Sequence, residues 1–122
     1  MKKQKGYYRF PTINNTQIVF TAEDDLWSIE TDNLKAVRLT TNLSEVSHPR
    51  LSPDGKLLAF QGREDGNSEV YVMPSQGGPA TRLTFQGANM KVSGWDNNFI
   101  IYTSDSGQPF MRHMELFQID SS

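Results

Sequence analysis

Ser52-Pro53-Asp54-Gly55-Lys56-Leu57-Leu58-Ala59-Phe60, then Glu69-Val70-Tyr71-Val72-Met73, then Gly77-Gly78-Pro79-Ala80-Thr81-Arg82-Leu83-Thr84, carry the architecture of this chain in miniature. Each apolar run is four to six residues long, rich in aromatic and β-branched types, and bounded by residues that favour turns, which is the pattern of short strands. Ser-Pro-Asp-Gly and Gly-Gly-Pro supply the backbone geometries that reverse a chain between antiparallel neighbours. Ser47-His48-Pro49-Arg50-Leu51, just ahead of the first turn, adds another short strand, so the whole stretch predicts four antiparallel strands.

Upstream and downstream the same unit returns. Gln17-Ile18-Val19-Phe20-Thr21, Asp25-Leu26-Trp27-Ser28-Ile29 and Ala36-Val37-Arg38-Leu39-Thr40 repeat it before, and Phe99-Ile100-Ile101-Tyr102-Thr103 and Glu115-Leu116-Phe117-Gln118-Ile119 repeat it after. Phe20 and Phe60 are 40 residues apart, Phe60 and Tyr102 are 42, and Trp27 and Tyr71, like Arg38 and Arg82, are 44. A period of this length built only of short strands is the signature of β-propeller blades. Tyr8 to Ile13 and Met90 to Trp95 provide the first strands of the flanking copies. The expected fold is therefore all-β: about three four-stranded antiparallel blades spanning about 6–41, 46–85 and 89–120, the last lacking its outer strand, as part of a six-bladed ring. Phe110, Met114 and Phe117 are spaced as on a helix face, but register with the other copies makes residues 115–119 a strand.

The quoted segments of the middle copy resemble the repeat shared by TolB-type propellers and tricorn proteases. The first copy, Thr21-Ala22-Glu23-Asp24-Asp25-Leu26-Trp27-Ser28-Ile29 with Arg38-Leu39-Thr40-Thr41-Asn42, resembles in particular the six-bladed amino-terminal propeller of tricorn-type peptidases. The resemblance covers roughly residues 6–120. It implies a domain that filters or channels peptides towards a serine-peptidase centre carried by other domains, so it transfers no catalytic residue to this chain. A free-standing TolB-like module that binds a protein or peptide is the second expectation.

The composition agrees with a folded domain: 36% hydrophobic and 21% charged residues over 122 positions. Twelve basic against fourteen acidic residues leave a net charge of −2, and the basic ones are scattered apart from Lys2, Lys3 and Lys5, which argues against nucleic-acid binding. No cysteine is present, which excludes thiol chemistry. Lys2, Lys3 and Lys5 are followed by Tyr7-Tyr8-Arg9-Phe10-Pro11 in place of the apolar run of a signal peptide, so the expected location of the chain as written is cytoplasmic, and periplasmic if it is trimmed. No run approaches the roughly 20 apolar residues that cross a bilayer, so no membrane partner is expected.

His48 and His113 are the two possible imidazole bases, and neither stands near a nucleophile motif. Glu64-Asp65-Gly66-Asn67-Ser68-Glu69 and Glu23-Asp24-Asp25 gather oxygen donors without calcium-loop spacing and are taken as solvated turns. No catalytic residue, metal or cofactor is expected. Phe20, Trp27, Phe60, Tyr71, Tyr102 and Phe117 recur at matching blade positions and belong to packing. Tyr7, Tyr8 and Trp95 fall outside that pattern and, with His113, are the candidate contacts to a ligand or partner.

Three blades do not close a ring, and the terminal blades each keep an apolar face bare. The chain is therefore expected to associate with the rest of a longer chain or with a second copy, a homodimer giving six blades. In that dimer the partner's Lys2 to Tyr8 would fill the missing outer strand of the third blade.

Overall fold

The computed structural model describes residues 8–41, 43–64, 66–105 and 115–122. These residues form eleven strands and no helix. The first sheet contains β1 (Arg9–Asn14), β2 (Gln17–Ala22), β3 (Asp25–Glu30) and β4 (Ala36–Arg38) in that order, every pair antiparallel. The second repeats it with β5 (Val46–Leu51), β6 (Leu57–Gly62), β7 (Glu69–Pro74) and β8 (Thr81–Arg82). The third has β9 (Met90–Asp96), β10 (Phe99–Ser104) and β11 (Glu115–Asp120), with β11 at its outer edge. The strand at 115–120 settles the helix-or-strand ambiguity in favour of register.

Turn chemistry explains the hairpins. Glu23 and Asp24 join β2 to β3 with φ of 54° and 66°, the left-handed pair that matches the twist of adjoining strands. In the Ser52–Lys56 turn, Gly55 sits at φ 75° and the Asp54 carboxylate accepts the Lys56 N–H and the Ser52 hydroxyl at 3.0 and 2.7 Å. The Lys56 amide first, and then the Ser52 hydroxyl, hold the Asp54 carboxyl below its ordinary range.

Packing lies between the sheets. Leu58, Phe60, Tyr71 and Met73 on one face of the second sheet meet Val19 and Leu26 of the first. Ala59, Val70 and Val72 on the other face meet Met90, Val92, Ile100 and Tyr102 of the third. Alternate residues of β6 and β7 therefore serve two neighbours, the burial pattern of stacked blades, in contrast to the single covered face of a sandwich sheet. Register sets Phe20 opposite Trp27, Phe60 opposite Tyr71 and Tyr102 opposite Phe117. The latter two pairs stack at 5.4 and 5.6 Å between ring centres. Polar groups seal the first seam: Gln17 Nε2 donates to the Ser75 carbonyl at 2.8 Å, and Asn14 Nδ2 to that of Ser52 at 2.9 Å.

Candidate functional site

The first strands of the three blades pack against one another, β1 on β5 and β5 on β9, and form the inner edge of the stack. Each carries an irregularity in its pairing with the second strand, at Phe10-Pro11, at His48-Pro49 and near Ser93. A proline has no N–H for the ladder and is accommodated at such a bulge. The residues before the two prolines, Phe10 and His48, have φ of 56° and 55°, a conformation that costs a bulky side chain about 1–3 kcal/mol and that packing must hold in place.

That backbone brings a distinctive set of side chains together. The Phe10 and His48 rings stack at 4.0 Å, and the Arg9 guanidinium lies 5.4 Å from the Phe10 centroid. Arg50 donates through Nε to the Ser93 carbonyl at 3.2 Å and through Nη1 to that of Pro49 at 3.0 Å, which ties β5 to β9. Burial, then the positive charges of Lys91, Arg50 and Arg9, hold the His48 pKa below its ordinary value. Ser47 Oγ and His48 Nδ1 are 3.0 Å apart, but the surrounding cations oppose the imidazolium that a general base must form. In a chain of net charge −2, the inner edge thus presents Arg9, Arg50 and Lys91 beside a stacked aromatic pair, an arrangement suited to carboxylates and extended peptide.

The candidate contacts fall in separate places. Tyr8 is 73% exposed and sets its ring edge-on to Phe20 at 5.3 Å, on the outer face of the first blade. It lines a hollow of about 640 Å³ with Ile18, Phe20, Trp27 and Ile29. Those four residues occupy the positions that Leu58, Phe60, Tyr71 and Met73 use in the second blade to meet the first. Trp95 lies at the seam of the second and third blades, where its indole N–H donates to the Arg50 carbonyl at 2.8 Å and its ring packs on the third-blade core. It borders a shallower hollow with Ser52, Asp54, Leu57 and Asn97. Tyr7 and His113 lie outside the described residues. The inner-edge cluster was missed from sequence because Arg9, His48, Arg50 and Lys91 are separated by up to 82 positions. The signal available was a cation in the first strand of every copy.

Residues 5–122 match the family model of the tricorn protease N-terminal beta propeller domain. A tricorn protease homolog of Streptomyces coelicolor is 41% identical over 109 residues, covering 88% of this chain and 10% of the relative. One from Saccharolobus solfataricus is 32% identical over 124 residues, covering 95% of this chain and 11% of the relative, so the chain spans about a tenth of the length of these proteins. Among solved structures, the tricorn protease superposes with a TM-score of 0.82 at 21% identity over 95% of this chain and 12% of its own. TolB from Acinetobacter baumannii superposes with a TM-score of 0.77 at 20% identity over 94% of this chain and 30% of its own.

Proposed function

The chain belongs to the family of the tricorn protease N-terminal β-propeller domain, and we propose that it is the part of a tricorn-type peptidase that selects and passes peptides while making and breaking no bond itself. The inner-edge cluster carries this proposal. Arg9, Arg50 and Lys91 offer charge-assisted donors, and the Phe10–His48 stack offers an apolar surface; both recognise an extended chain and neither supplies a nucleophile. Such a site lies where a ring of blades would leave its axial opening. Further blades, from a longer chain or a second copy, would complete the ring by covering the hollow on the first blade and the opposite face of the third.

The test is to titrate the 122-residue chain with short peptides, following binding by tryptophan fluorescence and integrity by mass spectrometry. Acidic peptides should bind several-fold more tightly than basic ones of the same length, lose that preference when Arg50 and Lys91 are both changed to Glu, and stay intact. Cleavage of peptides by the purified chain, or a preference untouched by the double substitution, would refute the proposal.

A further inference from the structure

Two blades share a side-chain network of which the third, among the described residues, carries only the acidic half. In each blade an acidic residue opens the third strand and pairs with the last residue of the second: Asp25 with Ala22, Glu69 with Gly62, Glu115 with Ser104. Thirteen residues beyond the first two acids stands an arginine and fifteen beyond stands a threonine. In the first blade Thr40 Oγ1 donates to Asp25 Oδ1 at 2.9 Å and accepts the Leu26 N–H at 3.0 Å, while Arg38 donates to Asp25 Oδ2 through Nε at 3.0 Å and through Nη2. In the second blade Thr84 Oγ1 donates to Glu69 Oε1 at 2.6 Å and accepts the Val70 N–H at 2.9 Å, and Arg82 Nη2 lies 3.3 Å from Glu69 Oε2. The residue between arginine and threonine closes each unit with a backbone bond, Leu39 N–H to the Leu26 carbonyl at 2.7 Å and Leu83 N–H to that of Val70 at 2.8 Å.

Glu115 and Leu116 are the third members of these series, and both are exposed on the outer edge of β11. The two Arg-Leu-Thr segments of the chain, 38–40 and 82–84, are already engaged in their own blades, and Lys2 to Tyr8 contains neither arginine nor threonine. We propose that the outer edge of β11 is a strand-receiving site for an extended segment of Arg-x-Thr sequence from outside these 122 residues. Its arginine faces Phe117 and reaches the Glu115 carboxylate, and its threonine bridges that carboxylate and the Leu116 N–H. The main chain supplies affinity, and the carboxylate chooses the sequence and fixes the register. This recognition is independent of peptide selection at the inner edge.

A synthetic peptide with the sequence of residues 78–86, Gly-Pro-Ala-Thr-Arg-Leu-Thr-Phe-Gln, tests it against the 122-residue chain by isotope-labelled NMR titration. Saturable shifts should centre on 115–119. Changing the peptide's arginine to Gln or its threonine to Val, or the protein's Glu115→Gln, should each weaken binding roughly tenfold. Because Glu115 is exposed, its substitution leaves the fold intact, and Glu115→Lys should prefer a peptide with Glu in place of arginine. Equal binding of a scrambled peptide, shifts centred elsewhere, or affinity unchanged by Glu115→Gln would each overturn the proposal.

Discussion

His48 shows how a single residue couples strain, charge and stability. Its ring is held against Phe10 by a backbone at φ 55°, with Arg9, Arg50 and Lys91 near enough to disfavour its protonation. The folded pKa is depressed, so the unfolded chain binds more protons between that lowered value and about 6.5. Stability is fully present above about 6.5 and is lost as the pH falls through this window. Urea midpoints measured from pH 7.5 to pH 5 should therefore decline, and His48→Phe should remove the part of the decline due to this ring. Phenylalanine is the apt replacement because the first blade already places Phe10 before a proline with the same backbone. Asp54, Asp105 and Asp120, whose carboxyls are also held low by hydrogen bonds, titrate in a more acidic range and leave this window clear.

At the scale of the element, the outer strands are short: β4 has three residues and β8 two. So few backbone bonds do not hold a strand, and the acid–arginine–threonine network supplies what the ladder lacks. Glu69 is 1% exposed and receives Thr84, Arg82 and the Gly87 N–H at 2.9 Å. Glu69→Ala should cost about 3 kcal/mol in urea unfolding, because it removes a buried carboxylate that accepts from the Thr84 hydroxyl and the Gly87 N–H and pairs with Arg82. Hydrogen exchange should show β8 loosening before β6 and β7. The motif was visible in the sequence as a spacing, Asp25 to Arg38 and Glu69 to Arg82, yet its meaning as a fastener was not. The bonds it makes depend on which face of an antiparallel pair each side chain occupies.

At the scale of the whole molecule, two faces are left uncovered by the described residues. The first blade opens the hollow beneath Tyr8 and Trp27, and the third exposes Leu116 at 70% on the side away from the second blade. Within the stack, surfaces of these two kinds are the ones that meet, so two copies, or a longer chain, have the means to close a ring by the same contacts. If copies pair, light scattering at micromolar concentration should give twice the 13.8 kDa mass, and Leu116→Lys should return the chain to a monomer. A stable monomer of the unsubstituted chain would rule out pairing.

Strand number, strand order and the blade repeat were determined by the sequence alone, since alternation, turn residues and a period of 40 to 44 positions are local or nearly local properties. The stacking of Phe60 on Tyr71 and of Tyr102 on Phe117 was implied by the same register. Only the tertiary structure decided that Arg9, His48, Arg50 and Lys91 share one edge, that Trp95 anchors a seam through the Arg50 carbonyl, and that among the described residues Glu115 has no counterpart of the arginine and threonine that hold Asp25 and Glu69. Propensity and period act along a chain, whereas charge, stacking and hydrogen-bond satisfaction act through space, between residues that meet only after the blades have packed.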